Sequence, residues 1–420
     1  MSGRGSIAAL LGISALAYTG TRVMAIAVPW FVLVTTGSAT QTGLVAAFEL
    51  APYVGVKALA GPVIDRLGQR RVSVLADLAS AVVIAAIPAL HQLGLLGLPV
   101  LLALVAIGGA LRGPGDTAKH TAVPFLADLA GVPLERVTGL AGAIERGSGL
   151  VGPAAAAALI AVAGPPGAIA LTAACFAVSA VAGRLGLPAA LDHRSDPGDP
   201  GEAGESYRSR LRAGWRFLRG DRLLLTLVIM IMVTNLLDVA KMSVLLPVWA
   251  HSTGRGVAAI GLVLSCTAAC SVLSSLFASW RGDRLPRRTT YFVAFAIAGP
   301  PPFLVLALNA PLPVVAATYA VAGLASGLLN PMLGAIFFER TPRPMVGRVD
   351  ALAGAIAWAG MPLGGLVASA LIALAGLSGA FAIAGIAYAL ATLLPALAAK
   401  ASFDRPVLES ETRTPELMSR

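Results

Sequence analysis

Apolar residues form long runs along this chain, and short polar stretches separate the runs. A helix needs about 20 apolar residues to cross the hydrocarbon core of a bilayer, and the runs reach that length. Several contain Pro or Gly, which a membrane helix tolerates because neighbouring helices re-satisfy the freed backbone groups. The pattern predicts twelve membrane-spanning helices, at residues 8–34, 41–60, 72–91, 97–120, 136–162, 167–187, 223–249, 257–280, 289–308, 312–337, 349–374 and 378–399.

Composition supports this prediction. Of the 420 residues, 57% are hydrophobic and 12% are charged, whereas a soluble chain carries about 25% charged residues. The first run is too long for a signal-peptide core and no small-residue cleavage pattern follows it, so we expect it to stay as a helix. The three cysteines lie inside apolar runs, which indicates packing and neither a disulfide framework nor a metal site.

Basic residues fall in alternate loops. One set of loops carries arginines at 66–71, 184–222, 281–288 and 340–348, whereas the other set carries only Arg255. Because loops rich in Lys and Arg stay on the cytoplasmic side, both termini are expected in the cytoplasm and the protein in the cell membrane. The net charge of +10 therefore reflects topology and gives no support to a nucleic-acid partner.

The longest polar stretch separates six runs from six. The predicted units are an N-terminal bundle at 1–187, a cytoplasmic linker at 188–222, a C-terminal bundle at 223–399 and a cytoplasmic tail at 400–420. The second part of the linker spaces Tyr207, Leu211, Trp215 and Leu218 as one helix face among six arginines. This pattern fits either an amphipathic helix on anionic lipid or a simple basic flank.

The two sets of runs resemble each other. Pro29 recurs as Pro247, and the tripeptide 65–67 (DRL) recurs as 283–285, both at a spacing of 218 residues. Further along, ALIAVAGPPGA at 158–168 resembles ALIALAGLSGA at 370–380. The repeat predicts two parallel six-helix halves, an arrangement in which a transport site lies at mid-membrane between the repeats.

The segment GPVIDRLGQRR at residues 61–71 predicts a short hairpin between the second and third helices. Glycines permit close helix approach and a tight turn, and a carboxylate is favourable at a helix N-terminus. The segment resembles motif A of the major facilitator superfamily, and WRGDRLPRR at 280–288 resembles its second copy, with Asp283 and Arg284 in the matching places. The matching positions of the first copy are Gly61, Asp65, Arg66, Gly68, Arg70 and Arg71.

This resemblance covers nearly the whole chain. It implies an all-α fold of twelve membrane helices in two pseudo-symmetric six-helix bundles. It also implies that motif A is a cytoplasmic latch between the halves. Asp65 would then meet the start of helix 11, while Arg66 or Arg70 would meet an acid on helix 4, with Asp116 as the candidate.

Two shorter segments resemble further motifs of the same superfamily. LRGPG at 111–115, containing Arg112, resembles motif B, which the family links to proton coupling, although Pro114 departs from the pattern. GSGLVGPAAAA at 147–157 resembles motif C, a mark of exporters, in its Gly152-Pro153 pair; generic packing of small residues is the alternative. The whole sequence resembles bacterial drug and siderophore exporters.

Charged residues within the predicted spans are the candidate functional groups, because each costs about 2.5–3.5 kcal/mol to place in the bilayer. The repeat spacing places Arg22 opposite helix 7, which carries Asn235, Asp238 and Lys241 along one side. In one interpretation Arg22 and Asp238 line the substrate cavity and Asp238 titrates during transport. In the other, Asp238 and Lys241 neutralise each other and backbone carbonyls satisfy Arg22.

Glu49 lies about 12 Å into helix 2, too deep to reach a headgroup, and Tyr53 follows one turn later. Arg22 on helix 1 is its expected partner. A buried carboxylate suits a proton carrier, so Glu49 is interpreted as a coupling group, a static pair, or both in turn. Lys57 lies near the helix end, where snorkelling explains it.

Helices 4 and 5 add a second predicted pair. Arg112 and Glu145 lie about 10–15 Å from the cytoplasmic surface, and we expect them to form an ion pair that is either coupled to protons or static. Asp116 is expected near Arg146, while Lys119 is expected at the membrane interface.

The sequence contains no G-x-x-x-x-G-K-[ST] segment and no convergent metal or nucleophile set, so neither ATP hydrolysis, a cofactor nor enzymatic activity is expected. The resulting hypothesis is a monomeric secondary transporter that exports a small amphipathic molecule by proton antiport. An importer of organic anions attracted to Arg22 and Lys241 is the first alternative. A transport-inactive membrane sensor or scaffold is the second.

Overall fold

A computed structural model describes residues 3–192, 207–281, 286–342 and 345–398, and every long element in this part of the chain is a helix. The helices are α1 (Gly3–Thr36), α2 (Ala39–Ala58), α3 (Ala60–Leu67), α4 (Gln69–Gln92), α5 (Leu98–Ala130), α6 (Leu134–Gly186), α7 (Tyr207–Gly220), α8 (Arg222–Ala240), α9 (Leu246–Ser252), α10 (Gly256–Arg281), α11 (Arg287–Ala298), α12 (Pro300–Ala307), α13 (Leu312–Arg340), α14 (Val346–Ala359) and α15 (Gly364–Ala398).

Several membrane spans are built from more than one helix. In the described residues, ten segments are long and apolar enough to cross a bilayer when α2 and α3, bent by 60°, count as one. Two of these segments contain a sharp break, at Gly164 of α6 and at Gly376 of α15, where φ is +69° and +68°. Each break turns one long helix into two spans, which agrees with the twelve predicted spans.

The two breaks confirm the internal repeat. Gly164 and Gly376 occupy the same position in the two similar segments 158–168 and 370–380. Only glycine adopts this left-handed, extended backbone without strain. The chain therefore reverses its direction across the membrane at equivalent places in the two halves.

The predicted amphipathic segment of the linker forms α7. Leu218 is fully buried in the main apolar core, whereas Trp215 is 42% exposed. The helix packs against α14 and α8 of the second half.

Two faces of the molecule are named here by their loops. The basic face carries the α3–α4 turn, the linker and the end of α13; the opposite face carries the α1–α2 and α9–α10 turns. Near the opposite face the two halves touch, because Trp30 meets His251 edge to face at 6.0 Å and the Ser369 hydroxyl donates to the Ala39 carbonyl at 2.9 Å. The halves are thus closed together at the opposite face.

Towards the basic face the halves separate. Glu145 and Arg146 of α6 are exposed, although they lie about 16 Å along the helix from its start at Leu134. Gly147 of α6 and Gly354 of α14 face open space, since a Cβ on either would meet no heavy atom within 4 Å. Charged side chains at this depth require water, so we infer an aqueous cleft between the halves that opens to the basic face.

Candidate functional site

A buried ion pair joins α2 to α5 in the first half. Arg112 Nη1 donates to Glu49 Oε1 at 2.8 Å, and the two residues are only 7% and 9% exposed. The two helices approach this closely because of Gly109, where any Cβ would overlap with the Glu49 carbonyl oxygen. Motif B therefore supplies the partner of the deepest carboxylate of helix 2.

The pairing corrects two sequence predictions. Glu49 was expected to pair with Arg22, and Arg112 with Glu145, but Glu49 and Arg112 pair with each other. The physical reason is the glycine contact between α2 and α5, which rotates both side chains into one interface. Glu145 instead lies exposed in the cleft.

A small, mostly apolar pocket adjoins this ion pair. The pocket lies between α1, α2, α4 and α5 and is lined by Met24, Glu49, Ile84, Ile87, Leu104, Val105, Gly108, Gly109 and Arg112. The Nε of Arg112 is buried without a protein partner, so one donor is available to a water molecule there.

A chain of polar contacts continues from the ion pair to the other half. The Tyr53 hydroxyl donates to Asp116 Oδ2 at 3.2 Å, and Lys57 Nζ donates to the Tyr53 oxygen at 3.3 Å. The Lys57 ammonium lies 4.1 Å from the ring centroid of Trp358 on α14. Gly113 of α5 makes room for this arrangement, because a Cβ there would crowd the backbone of Tyr53 and Lys57.

This chain corrects three further expectations. Asp116 accepts from Tyr53 and pairs with neither Arg70 nor Arg146. Lys57 points to Trp358 of the other half, so it does not snorkel to a headgroup. Trp358 was not singled out because a lone tryptophan in an apolar run gives no signal of its partner.

The second half carries its own charged pair. Lys241 Nζ donates to Asp238 Oδ1 at 2.8 Å, and its ammonium also lies 4.5 Å from the Phe303 ring centroid. The Asp238 side chain is 43% exposed, and its charge acts on the buried hydroxyls of Tyr319 and Tyr388. The Asp238–Lys241 pair of the second interpretation is observed, but the expected hydrogen bonds from Arg22 to backbone carbonyls are not seen in the described residues, and titration of Asp238 during transport stays a prediction.

Asn235, the third polar residue of this face, holds two helices together. Its side-chain amide donates to the Ala357 carbonyl at 3.0 Å, close to the residue where α14 ends. The bond satisfies a carbonyl that the helix break at Gly360 leaves free. The arrangement gives Asn235 a structural role in addition to its predicted place in the cavity.

Arg22 lies on α1 against the motif C-like segment. It is exposed and, among the described residues, forms no hydrogen bond or ion pair. A Cβ on Gly152 would overlap with the Arg22 side chain, and the Pro153 carbonyl packs on Gly261 of the second half. Gly152 thus packs against Arg22 of α1, and Pro153 packs against Gly261 of the second half.

Motif A adopts a different arrangement from the expected latch. Arg70 donates to Asp192 at 3.1 Å and to the Arg184 carbonyl at 2.7 Å, and the Arg71 backbone N–H donates to Asp192 at 3.0 Å. Gly68 adopts φ +86° against the backbone of Asp192. The basic part of the motif is therefore bound to the start of the linker, and among the described residues neither Arg66 nor Arg70 forms the predicted contact with Asp116.

The remaining motif A residues face solvent in this conformation. Gly61, Asp65 and Arg66 are exposed, as the separated halves at the basic face require. The second copy, with Asp283 and Arg284, lies outside the described residues. The side chains of residues 346–348, at the start of helix 11, also lie outside the described part, so the predicted contact of Asp65 there stays a prediction.

Sequence reasoning missed one buried polar cluster. Lys119 Nζ donates to Asp77 Oδ1 at 2.6 Å, and the Ser179 hydroxyl donates to Asp77 Oδ2 at 2.5 Å. Lys119 is 2% exposed, so its predicted interfacial position is wrong. The signal was present, because Asp77 is an acid in the middle of an apolar run.

Membrane-length helices in two similar halves, with ion pairs buried among the helices of the described residues, are the architecture of a polytopic membrane transporter. The family model described as Major Facilitator Superfamily matches residues 10–254 and 233–417. The chain belongs to the major facilitator superfamily.

Two groups of known proteins resemble the chain. It is 31% identical over 421 residues to the "Multidrug efflux pump Tap" of Mycobacterium tuberculosis (strain ATCC 25618 / H37Rv), covering 97% of this chain and 98% of that one. The protein of the same name from Mycolicibacterium fortuitum is 29% identical over 381 residues, covering 90% and 92%. Among solved structures, the nucleoside transporter NupG has a TM-score of 0.73 at 14% identity, covering 94% of this chain and 99% of that one.

Proposed function

We propose that this transporter exports small amphipathic molecules across the cell membrane by proton antiport, as a monomer, with its basic face in the cytoplasm. The buried ion pair of Glu49 and Arg112 carries the proposal. This ion pair is buried and lies beside Tyr53, where the polar contacts that reach the other half of the molecule begin. The name of the relatives, a multidrug efflux pump, supports the direction of transport.

The geometry suggests how a proton would be coupled to movement. Protonation of Glu49 removes the negative charge that holds Arg112, whose centre lies 5.4 Å from the Tyr53 ring. Arg112 is then attracted more strongly to Asp116, which accepts the Tyr53 hydrogen bond. Because Tyr53 and Lys57 meet Trp358 of the other half, a proton on Glu49 changes the contact between the halves.

The cleft and its closed end fit an alternating-access cycle. The conformation described here is open to the basic face, where arginine-rich loops favour the cytoplasmic side. A substrate would enter from this side or from the inner leaflet. Release at the opposite face would require the contacts of Trp30 and Ala39 with the second half to open while motif A closes the basic face.

The test is transport in proteoliposomes with an imposed proton gradient, using ethidium as the exported probe. Glu49→Gln should abolish proton-driven export while substrate–substrate exchange persists, because binding and rocking do not need a net proton transfer. The matched control is Glu135→Gln, an exposed acid at the start of α6, which should behave as wild type. Normal gradient-driven export by Glu49→Gln would contradict the assignment and move the coupling role to Asp238 or Glu145.

A further inference from the structure

Two aromatic rings from opposite halves of the molecule face each other at the inner end of the cleft. Tyr53 belongs to α2 and Trp358 to α14; their ring centroids lie 6.4 Å apart with an interplanar angle of 15°. Both residues are only half-buried, so part of each ring is accessible. Aromatic faces at this spacing attract cations.

A cation already occupies this place, and it comes from the protein. The Lys57 ammonium lies 4.1 Å from the Trp358 centroid and 5.3 Å from the Tyr53 centroid. It donates to the Tyr53 hydroxyl oxygen at 3.3 Å. Lys57 also belongs to the last turn of α2, where the helix dipole favours a positive charge.

Apart from Lys57, the charges of the described residues near the rings are negative on balance, because the one other cation there, Arg112 at 5.4 Å from the Tyr53 ring centroid, is balanced by its own ion-pair partner. The carboxylates whose charges act on Lys57 are those of Asp116 and Glu145. Asp116 is bound to Tyr53, and Glu145 is exposed in the cleft. Two aromatic rings flanked by two carboxylates match the group that binds an organic cation, with Lys57 as its present occupant.

We propose that Tyr53 and Trp358 form a binding site for the charged group of an organic cation, and that Lys57 occupies this site as an intramolecular competitor. The inference rests on the proposed function and specifies one of its substrate classes. The lysine has a flexible stem that can follow the cleft towards the basic face, so an entering cation can take its place. Because the two rings come from different halves, exchange of the lysine for a ligand alters the contact that joins them.

Equilibrium dialysis of the purified full-length protein in detergent tests the proposal, with tetraphenylphosphonium as the cation. Lys57→Met should tighten its binding about tenfold, because one competitor and one repelling charge are removed. Lys57→Arg keeps both the competing side chain and its positive charge, so its affinity for tetraphenylphosphonium should stay within about twofold of that of wild type. Trp358→Leu, placed in the Lys57→Met background, should weaken binding about tenfold, and Trp358→Phe should restore most of it.

A neutral ligand of similar shape, triphenylphosphine oxide, separates charge recognition from apolar contact. Its affinity should change less than about twofold on Lys57→Met. Equal tightening for the neutral and the cationic ligand would overturn the proposal, as would unchanged cation binding by Lys57→Met. If Trp358→Leu does not fold, the comparison of Lys57→Met with Lys57→Arg decides alone.

This experiment is independent of the export assay. Binding in detergent needs no proton gradient, so loss of the antiport proposal would leave the cation result standing. Conversely, a failure of cation binding would leave the coupling role of Glu49 intact. The two conclusions can therefore fail separately.

Discussion

In each half of the molecule, two glycines let one helix lie directly on the backbone of another. In the first half Gly109 and Gly113 of α5 contact the backbone of α2 at Glu49 and Tyr53; in the second half Gly323 and Gly327 of α13 contact α10 at Thr267 and Ser271. Glu49 and Thr267 are repeat equivalents, as are Tyr53 and Ser271, at the spacing of 218 residues. The helix packing is the same.

The chemistry enclosed by that packing differs. In the register that matches Gly109 with Gly323 and Gly113 with Gly327, Ser326 stands at the place of Arg112. Where the first half has the Glu49–Arg112 ion pair, the second therefore has Thr267 and Ser326, and the Ser326 hydroxyl contacts that of Ser271 at 3.4 Å. A Ser or Thr hydroxyl can form its hydrogen bond with a backbone carbonyl of its own helix, whereas an isolated charge buried in a membrane protein needs a charged or polar partner. The same helix packing therefore forms without an ion pair in the second half. This supports a functional role, and not a purely structural one, for the Glu49–Arg112 pair in the first half.

The largest effect is expected from breaking the ion pair. Arg112→Met leaves the Glu49 carboxylate buried and unpaired, so it should lower the free energy of unfolding by about 3–5 kcal/mol. The equivalent change in the second half, Ser326→Ala, removes one weak hydroxyl contact and should cost about 1 kcal/mol or less. Thermal melting of each purified variant, followed by size-exclusion chromatography, measures the difference.

The double variant Glu49→Thr with Arg112→Ser sharpens this test. It gives the first half the residues of the second half, so stability should return to near that of wild type while gradient-driven export is lost. If Arg112→Met and Ser326→Ala melt at similar temperatures, the Glu49–Arg112 ion pair contributes no more to stability than the serine hydroxyl at the equivalent place.

A smaller effect is expected from the glycines themselves. Gly109→Ala and Gly323→Ala each direct a Cβ into a backbone carbonyl, of Glu49 and Thr267 respectively. Both should lower the free energy of unfolding by a similar amount, about 1–3 kcal/mol, because the overlap forces the helices apart. Gly12→Ala on α1, where nothing lies within 4 Å, is the matched control and should melt as wild type does.

Unequal losses would separate the two contacts. If Gly109→Ala is far more damaging than Gly323→Ala, the excess reports the distortion of the ion pair and not the helix packing. Equal losses at the two sites would support the equivalence of the halves that the repeat predicts.

The comparison also explains which parts of the molecule could be predicted from sequence. The twelve spans and the repeat followed from run lengths and recurring short segments, which depend only on local composition. Glu49 and Arg112 were recognisable because ionisable residues in apolar runs are costly. The pairing of these two residues could not be predicted, because it depends on how α2 is rotated against α5. That rotation is set by the contact of a glycine with a residue far from it in the sequence.

The same limit applies to Lys57. From sequence its position near a helix end indicated a headgroup partner, since nothing in one helix reveals which residue of the other half faces it. The sequence-based prediction missed Asp77 for a different reason. Its cost in an apolar run was as visible as that of Glu49, and only its partners Lys119 and Ser179 required the packed structure.

The smallest effect is expected where the second half provides an apolar replacement. At the spacing of 218 residues, Phe295 stands at the place of Asp77, and in the register that matches Gly109 with Gly323, Leu333 stands at the place of Lys119. Both belong to or pack against the apolar core. A buried ion pair exchanged for well-packed apolar residues is often neutral. Asp77→Leu with Lys119→Leu should therefore change the free energy of unfolding by about 1 kcal/mol or less, whereas Asp77→Leu alone leaves the lysine unpaired and should cost about 3–5 kcal/mol.

The double variant also decides whether this cluster takes part in transport. The Asp77–Lys119 pair lies between α4, α5 and the second part of α6, all within one half, and among the described residues neither side chain bonds to the other half. Gradient-driven ethidium export by the double variant should match wild type, in contrast to the Glu49→Thr, Arg112→Ser variant. A double variant that is stable but does not export would contradict this expectation. Its loss of export could not be explained by unfolding, so the Asp77–Lys119 pair would then take part in the transport cycle as the Glu49–Arg112 pair does.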